Sequence, residues 1–182
     1  EFVTMQAVSE TADLLTRYDL TLSINISLTD LFSHHYLDFL TQLTQKIDLA
    51  PSRIMLEITE RENATLAHME AAILLFKRHG FLIALDDFGT GYSSLSYLED
   101  LNVDILKIDK SFVDALEYKT VTPHIIEMAK TLKLEMVAEG VENESQAQWL
   151  REHGVQYAQG WLYSKALPAE AFIAWCKDHG VR

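Results

Sequence analysis

Short apolar, β-branched runs recur along this chain, and each is followed by a stretch with the apolar period of an amphipathic helix. The runs fall at residues 22–27, 54–59, 82–87, 104–109, 134–139 and 156–160. The helical stretches fall at 31–46, 64–79, 93–98, 122–132, 144–153 and 168–179, with one more, 4–17, ahead of the first run. Alternation of this kind predicts a parallel sheet with right-handed crossovers, either open and doubly wound or closed as an eight-stranded barrel. Run starts at 22, 54, 82, 104, 134 and 156 lie 22 to 32 residues apart. Eight such units would need a chain near the ~250 residues of a TIM barrel, and six account for the 182 residues here. No Gly-x-Gly-x-x-Gly follows any run, which weakens the dinucleotide-binding alternative. The expected fold is α/β: an incomplete (β/α)8 TIM-like barrel with six of about eight units, a single domain over residues 1–182.

The loops are marked by local chemistry. His79-Gly80, His153-Gly154 and His179-Gly180 each close a helical stretch with a glycine able to adopt the left-handed conformation. Asn143 with Gln146 forms a capping-box pattern, and Pro168 suits a first helical turn. No Pro- or Ser-rich linker interrupts the series, so no domain boundary is expected.

Each run carries polar residues toward its C-terminal end: Asn25, Glu57, Asp86 and Asp87, Lys107 and Asp109, Glu139, and Gln159. In a barrel these ends converge on the catalytic face. Strand alternation turns Ser23, Asn25 and Ser27 inward with Leu22, Ile24 and Ile26 toward the helices, and sets Lys107 inward between Leu106 and Ile108. It also places the adjacent Asp86 and Asp87 on opposite sides of their strand, one to bind a metal directly and the other to reach a second ion or a supporting partner. So many gathered carboxylates are costly unless cations neutralise them. An oxygen donor set of Asn, Glu and Asp suits Mg²⁺ or Mn²⁺ rather than Zn²⁺. The seven histidines form neither His-x-His nor His-Glu-x-x-His and are read as structural or solvated. Taken alone, any one of these carboxylates could equally be a helix cap. Ser93, after the Asp86-to-Tyr92 loop, reads as such a cap.

Charge excludes one class of partner. Fifteen basic against twenty-seven acidic residues give a net charge of −12, the wrong sign for a surface that tracks DNA or RNA. The single cysteine, Cys176, excludes an intrachain disulfide framework and is in keeping with a reducing, cytoplasmic setting. No apolar run approaches the ~20 residues of a membrane span. Glu1 opens the chain with neither a methionine nor a basic leader, so the chain reads as a piece of a longer protein whose other parts could include membrane or sensory segments.

The run Asp86-Asp87-Phe88-Gly89-Thr90-Gly91-Tyr92-Ser93-Ser94, with Leu-Glu-Ile-Thr-Glu, Leu-Lys-Ile-Asp-Lys, Ala-Glu-Gly-Val-Glu and Gln-Gly-Trp in order and spacing, resembles the EAL domain family over essentially the whole chain. That resemblance implies a barrel that hydrolyses cyclic di-GMP to linear pGpG with two Mg²⁺ or Mn²⁺ ions, commonly as a homodimer, often behind sensory or membrane segments. It implies that Asn25, Glu57, Asp86 and Glu139 hold metal, with Asp87 at the second ion. Lys107 matches the lysine that orients or deprotonates the attacking water, and Glu60 the glutamate that anchors the loop after Asp87. Asp109 and Gln159 match residues lining the water and substrate site. Two departures stand out. The Glu-Ala-Leu signature itself occurs nowhere in the chain, and Trp161 and Ala166 stand where the family more often has Tyr or Phe and Pro. The expectation is a cyclic di-GMP phosphodiesterase domain without its N-terminal portion, weak or inactive as this chain alone. A non-catalytic cyclic di-GMP receptor or interaction module is the alternative. A barrel using Lys107 as a base beside an enolate suits the polar strand ends but not the Asp-Asp-Phe-Gly-Thr-Gly loop.

Overall fold

A computed structural model describes residues 1–59, 65–88, 95–116 and 120–179. In chain order the elements are α1 (Phe2–Arg17), β1 (Leu22–Asn25), α2 (Leu28–Leu31), α3 (His34–Lys46), a 3₁₀ turn (Pro51–Arg53), β2 (Ile54–Thr59), α4 (Leu66–Arg78), β3 (Leu82–Phe88) and α5 (Leu95–Leu101). There follow β4 (Ile105–Ile108), α6 (Lys110–Val113), α7 (Val121–Thr131), β5 (Glu135–Ala138), α8 (Glu144–Glu152), β6 (Tyr157–Ala158) and α9 (Ala169–Asp178). All six strands are parallel and lie in sequence order, each paired with its neighbours in the chain. The result is the expected incomplete TIM-like barrel.

The outward face of the sheet makes the core. Ile54, Leu56 and Ile58 of β2, Ile83 and Leu85 of β3, Leu106 and Ile108 of β4, and Met136 of β5 are buried in one cluster with Met69, Ile73 and Phe76 of α4 and Ile125 and Ile126 of α7. Each such side chain contributes about 1.5–3 kcal/mol on leaving water. The inward face is different: Ser23 and Asn25 are exposed and Met55 and Val137 half-buried. At the N-terminal ends of the strands a cavity of about 450 Å³ is lined by apolar residues that include Leu20, Met55, Ile105 and Val137, together with Asp19 and Glu135.

Three local features differ from the sequence expectation. The first strand stops at Asn25, because Ser27 is the N-cap of α2 in a reciprocal capping box with Asp30. The helix expected from residue 31 is two helices, since Ser33 caps α3 anew by accepting from Tyr36 N. The last strand is only Tyr157–Ala158, because Gln156 uses its side-chain oxygen to accept from Met136 N and Gly160 turns the chain against Val141. The helix ends behave as read: Gly80 and Gly154 have φ of +89° and +82°. His79, His153 and His179 each place Nδ1 2.8–2.9 Å from the carbonyl oxygen four residues earlier. Gly180 and Ser93 lie outside the described residues.

Candidate active site

Four strands each deliver one ionisable side chain to a common point at their C-terminal ends. Parallel register explains the convergence: Asn25 is paired with Glu57, Thr59 with Asp86, and Lys107 with Val137, two residues before Glu139. Lys107 is the hub. Its Nζ donates to Glu57 Oε2 at 2.6 Å, lies 2.7 Å from Glu139 Oε1 and 3.1 Å from Asp86 Oδ1. Lys107 is only 3% and Glu57 only 4% exposed, so these charges meet in a largely water-free setting. Burial alone would lower the Lys107 pKa, but the hydrogen bonds to Glu139 and Glu57 and their negative charges outweigh it and hold the amine well above its usual range. Burial raises the Glu139 pKa, Lys107 opposes that rise, and the charges of Asp86 and Glu57 add to it.

Strict alternation fails at Asp87. The ladder between β3 and β4 shifts register between Leu85 and Phe88, and Asp87 takes φ +56°, in the left-handed region that Asp tolerates better than most side chains. Asp87 N donates to Asp86 Oδ1 at 3.0 Å. This bulge turns Asp87 to the same side as its neighbour. Ligand oxygens of Asp86, Asp87 and Glu139 lie within 4.8 Å of one another.

The remaining sequence-derived residues take varied places. Gln159 Nε2 donates to Glu139 Oε1 at 2.7 Å and so belongs to the cluster. Gly160 makes that approach possible, because a Cβ there would sit 2.1 Å from Val141 O. Gly140, with φ +66°, lies against the stem of Lys110 and leads the chain away from Glu139. Asp109 is the N-cap of α6, its Oδ1 accepting from Ser111 N at 3.0 Å, so one of its oxygens is committed to structure. Asn25 sits on the same inward face as Glu57 and is exposed. Glu60 and the loop after Phe88 lie outside the described residues. One contact was missed: Ser23 Oγ donates to Glu57 Oε1. Its inward parity was readable, but a serine hydroxyl carries no sequence mark of its partner.

A family model for the EAL domain matches residues 1–166. A probable cyclic di-GMP phosphodiesterase, PdeB of Escherichia coli, is 59% identical over 158 residues, covering 87% of this chain and 31% of that protein. The chain thus spans about a third of the length of that curated relative. The EAL domain of Mycobacterium smegmatis DcpA superposes with TM-score 0.88 at 32% identity, over 99% of this chain and 83% of that one. A manganese and cyclic di-GMP complex of Klebsiella pneumoniae BlrP1 superposes with TM-score 0.79 at 27% identity, over 89% and 43% of the two chains.

Proposed function

This chain belongs to the EAL domain family, and on that premise we propose that residues 1–182 form part of a cytoplasmic domain that hydrolyses cyclic di-GMP to linear pGpG. The observation that carries the reading is the Lys107 ammonium set among Glu57, Asp86 and Glu139. Three carboxylates share one ammonium and leave an excess of two negative charges in a largely buried place, with Asp87 close by. Divalent cations offset such an excess, and the all-oxygen donor set suits Mg²⁺ or Mn²⁺. We assign Asn25, Glu57, Asp86, Asp87 and Glu139 to holding two such ions. When bound, the ions supply positive charge for the phosphodiester and lower the pKa of attacking water.

The chain's own residues do the rest. Lys107, set between Glu57 and Glu139, is assigned to orienting or deprotonating the attacking water. Gln159, which donates to Glu139, and the oxygen of Asp109 not used as a cap are assigned to water or substrate. Glu60 is assigned to anchoring the loop after Asp87. The partners in this reading are cyclic di-GMP and a second copy of the chain, with no DNA or RNA; sensory or membrane segments would belong to the longer protein. Among the described residues no helix is long and apolar enough to cross a membrane.

The test is incubation with cyclic di-GMP and Mn²⁺, with pGpG followed by chromatography and binding by calorimetry. Because Glu-Ala-Leu is absent from the 182 residues, weak turnover with measurable binding is expected, and Asp86→Asn should abolish the turnover. A chain that shows no binding and no turnover would sink the proposal. A second reading is a non-catalytic cyclic di-GMP receptor or interaction module, and the full set of carboxylates around Lys107 argues against it. Binding without turnover after a Glu-Ala-Leu segment is restored upstream would select it.

A further inference from the structure

Glu57 is held from two sides. Its Oε2 accepts from Lys107 Nζ at 2.6 Å, and its Oε1 accepts from the Ser23 hydroxyl across the β1–β2 ladder. The register fixes the direction of approach. Glu57 is the Cα partner of Asn25, so Ser23, two residues earlier on the same face, reaches the carboxylate diagonally from the N-terminal side. That leaves the flank of Glu57 nearer the strand C-termini, where Asn25, Asp86 and Glu139 also end, free of the hydroxyl. Each carboxylate oxygen has two lone-pair directions, so one fixed donor per oxygen leaves the other direction for a cation.

Ser23 is also out of place for stability alone. Serine is a weak strand former compared with the β-branched residues, and Ser23 is exposed on the inward face while Ile24 beside it is buried in the core. A long-range hydrogen bond to an almost fully buried glutamate, 34 residues away in sequence, distinguishes the position among the described residues.

The geometry points to Ser23 as a positioning residue for divalent-cation binding: its hydroxyl locks the Glu57 carboxylate so that the oxygen shared with Ser23 faces the cation and the other stays on Lys107. This rests on the reading of Glu57 as a metal ligand. Without the hydroxyl, Glu57 can rotate and take Lys107 with both oxygens, which removes it from the cation. Loss of a residue that orients a metal ligand typically weakens the metal by about 10- to 100-fold.

The experiment is Mn²⁺ titration of the whole chain by calorimetry and by the paramagnetic signal of free Mn²⁺, for wild type, Ser23→Ala, Ser23→Thr and Glu57→Gln. Thermal melting without metal serves as a control for folding. Ser23→Ala should weaken Mn²⁺ about tenfold with its melting temperature unchanged, and Ser23→Thr, which keeps the hydroxyl, should bind as wild type. Wild-type affinity in Ser23→Ala beside weakened affinity in Glu57→Gln would overturn the positioning role alone. Equal weakening in Ser23→Ala and Ser23→Thr would also overturn it, since the hydroxyl would not be the operative group. Undiminished affinity in Glu57→Gln would overturn the ligand assignment, and the role of Ser23 with it.

Discussion

The two ends of the barrel interior are built by the same strands and differ by one step of the pleat. At the N-terminal end, Met55, Ala84, Ile105 and Val137 occupy the inward positions. Two residues further along the same face stand Glu57, Asp86, Lys107 and Glu139. Charge is present at both ends, but it is gathered around one buried cation only at the C-terminal end. At the N-terminal end Lys77 pairs with Asp104 at 2.8 Å, and the other oxygen of Asp104 accepts from Ile83 N. At the C-terminal end one ammonium serves three carboxylates, with Asp87 beside them. Charge that pairs one to one serves the fold; charge left in excess on a converging face marks where a ligand must complete the balance.

The sharpest test of that contrast is Lys107→Met. Removing the shared cation leaves buried carboxylates facing one another, and breaking such a pair costs about 3–5 kcal/mol. Denaturant unfolding should show that loss, and added Mn²⁺ should restore a large part of it. Cation-independent destabilisation would break the comparison. Next in size is Ile105→Ala at the other end. Ile105 is 3% exposed, and truncation should cost about 2–3 kcal/mol while Mn²⁺ affinity stays within about twofold of wild type, as expected of a group too far from the ions to act as a supporting contact.

A smaller effect separates cap from chemistry at Asp109. Asp109→Ala should cost about 1 kcal/mol through the lost cap, whereas Asp109→Asn keeps the cap and should lower only pGpG production. Equal turnover in the asparagine variant and wild type would remove Asp109 from the reaction. Smallest is Lys77→Met, whose partly exposed pair should be worth about 1 kcal/mol or less, with no recovery on adding Mn²⁺. Chemical denaturation with and without the metal reads both lysines on one scale.

Much of this contrast was legible in the sequence because strands have a fixed period. Alternation placed Lys107 inward between Leu106 and Ile108, and the repeat of polar residues at strand ends gathered Glu57, Asp86 and Glu139. The Asn143–Gln146 capping box and the glycines after His79 and His153 were equally readable, because they are local chemistry. What escaped was long-range or irregular. The Asp87 bulge depends on the register of β3 against β4, which no period within β3 reveals. The capping roles of Ser27 and Asp109 also escaped, because a short polar side chain at a strand end can cap a helix as well as line a site. The Ser23–Glu57 contact needs the alignment of two strands 34 residues apart.

The strand order has a kinetic corollary. Every ladder joins neighbours in the chain, so the sheet can grow one β/α unit at a time with short loop closures. The Lys107–Glu57 contact spans 50 residues and passes over β3, so it forms only when β2, β3 and β4 already lie side by side. Interactions made that late leave the folding rate almost untouched and govern how fast the native state opens. The buried ammonium is in this sense a latch: it, and any cation that joins it, prolongs the lifetime of the assembled barrel more than it hastens assembly.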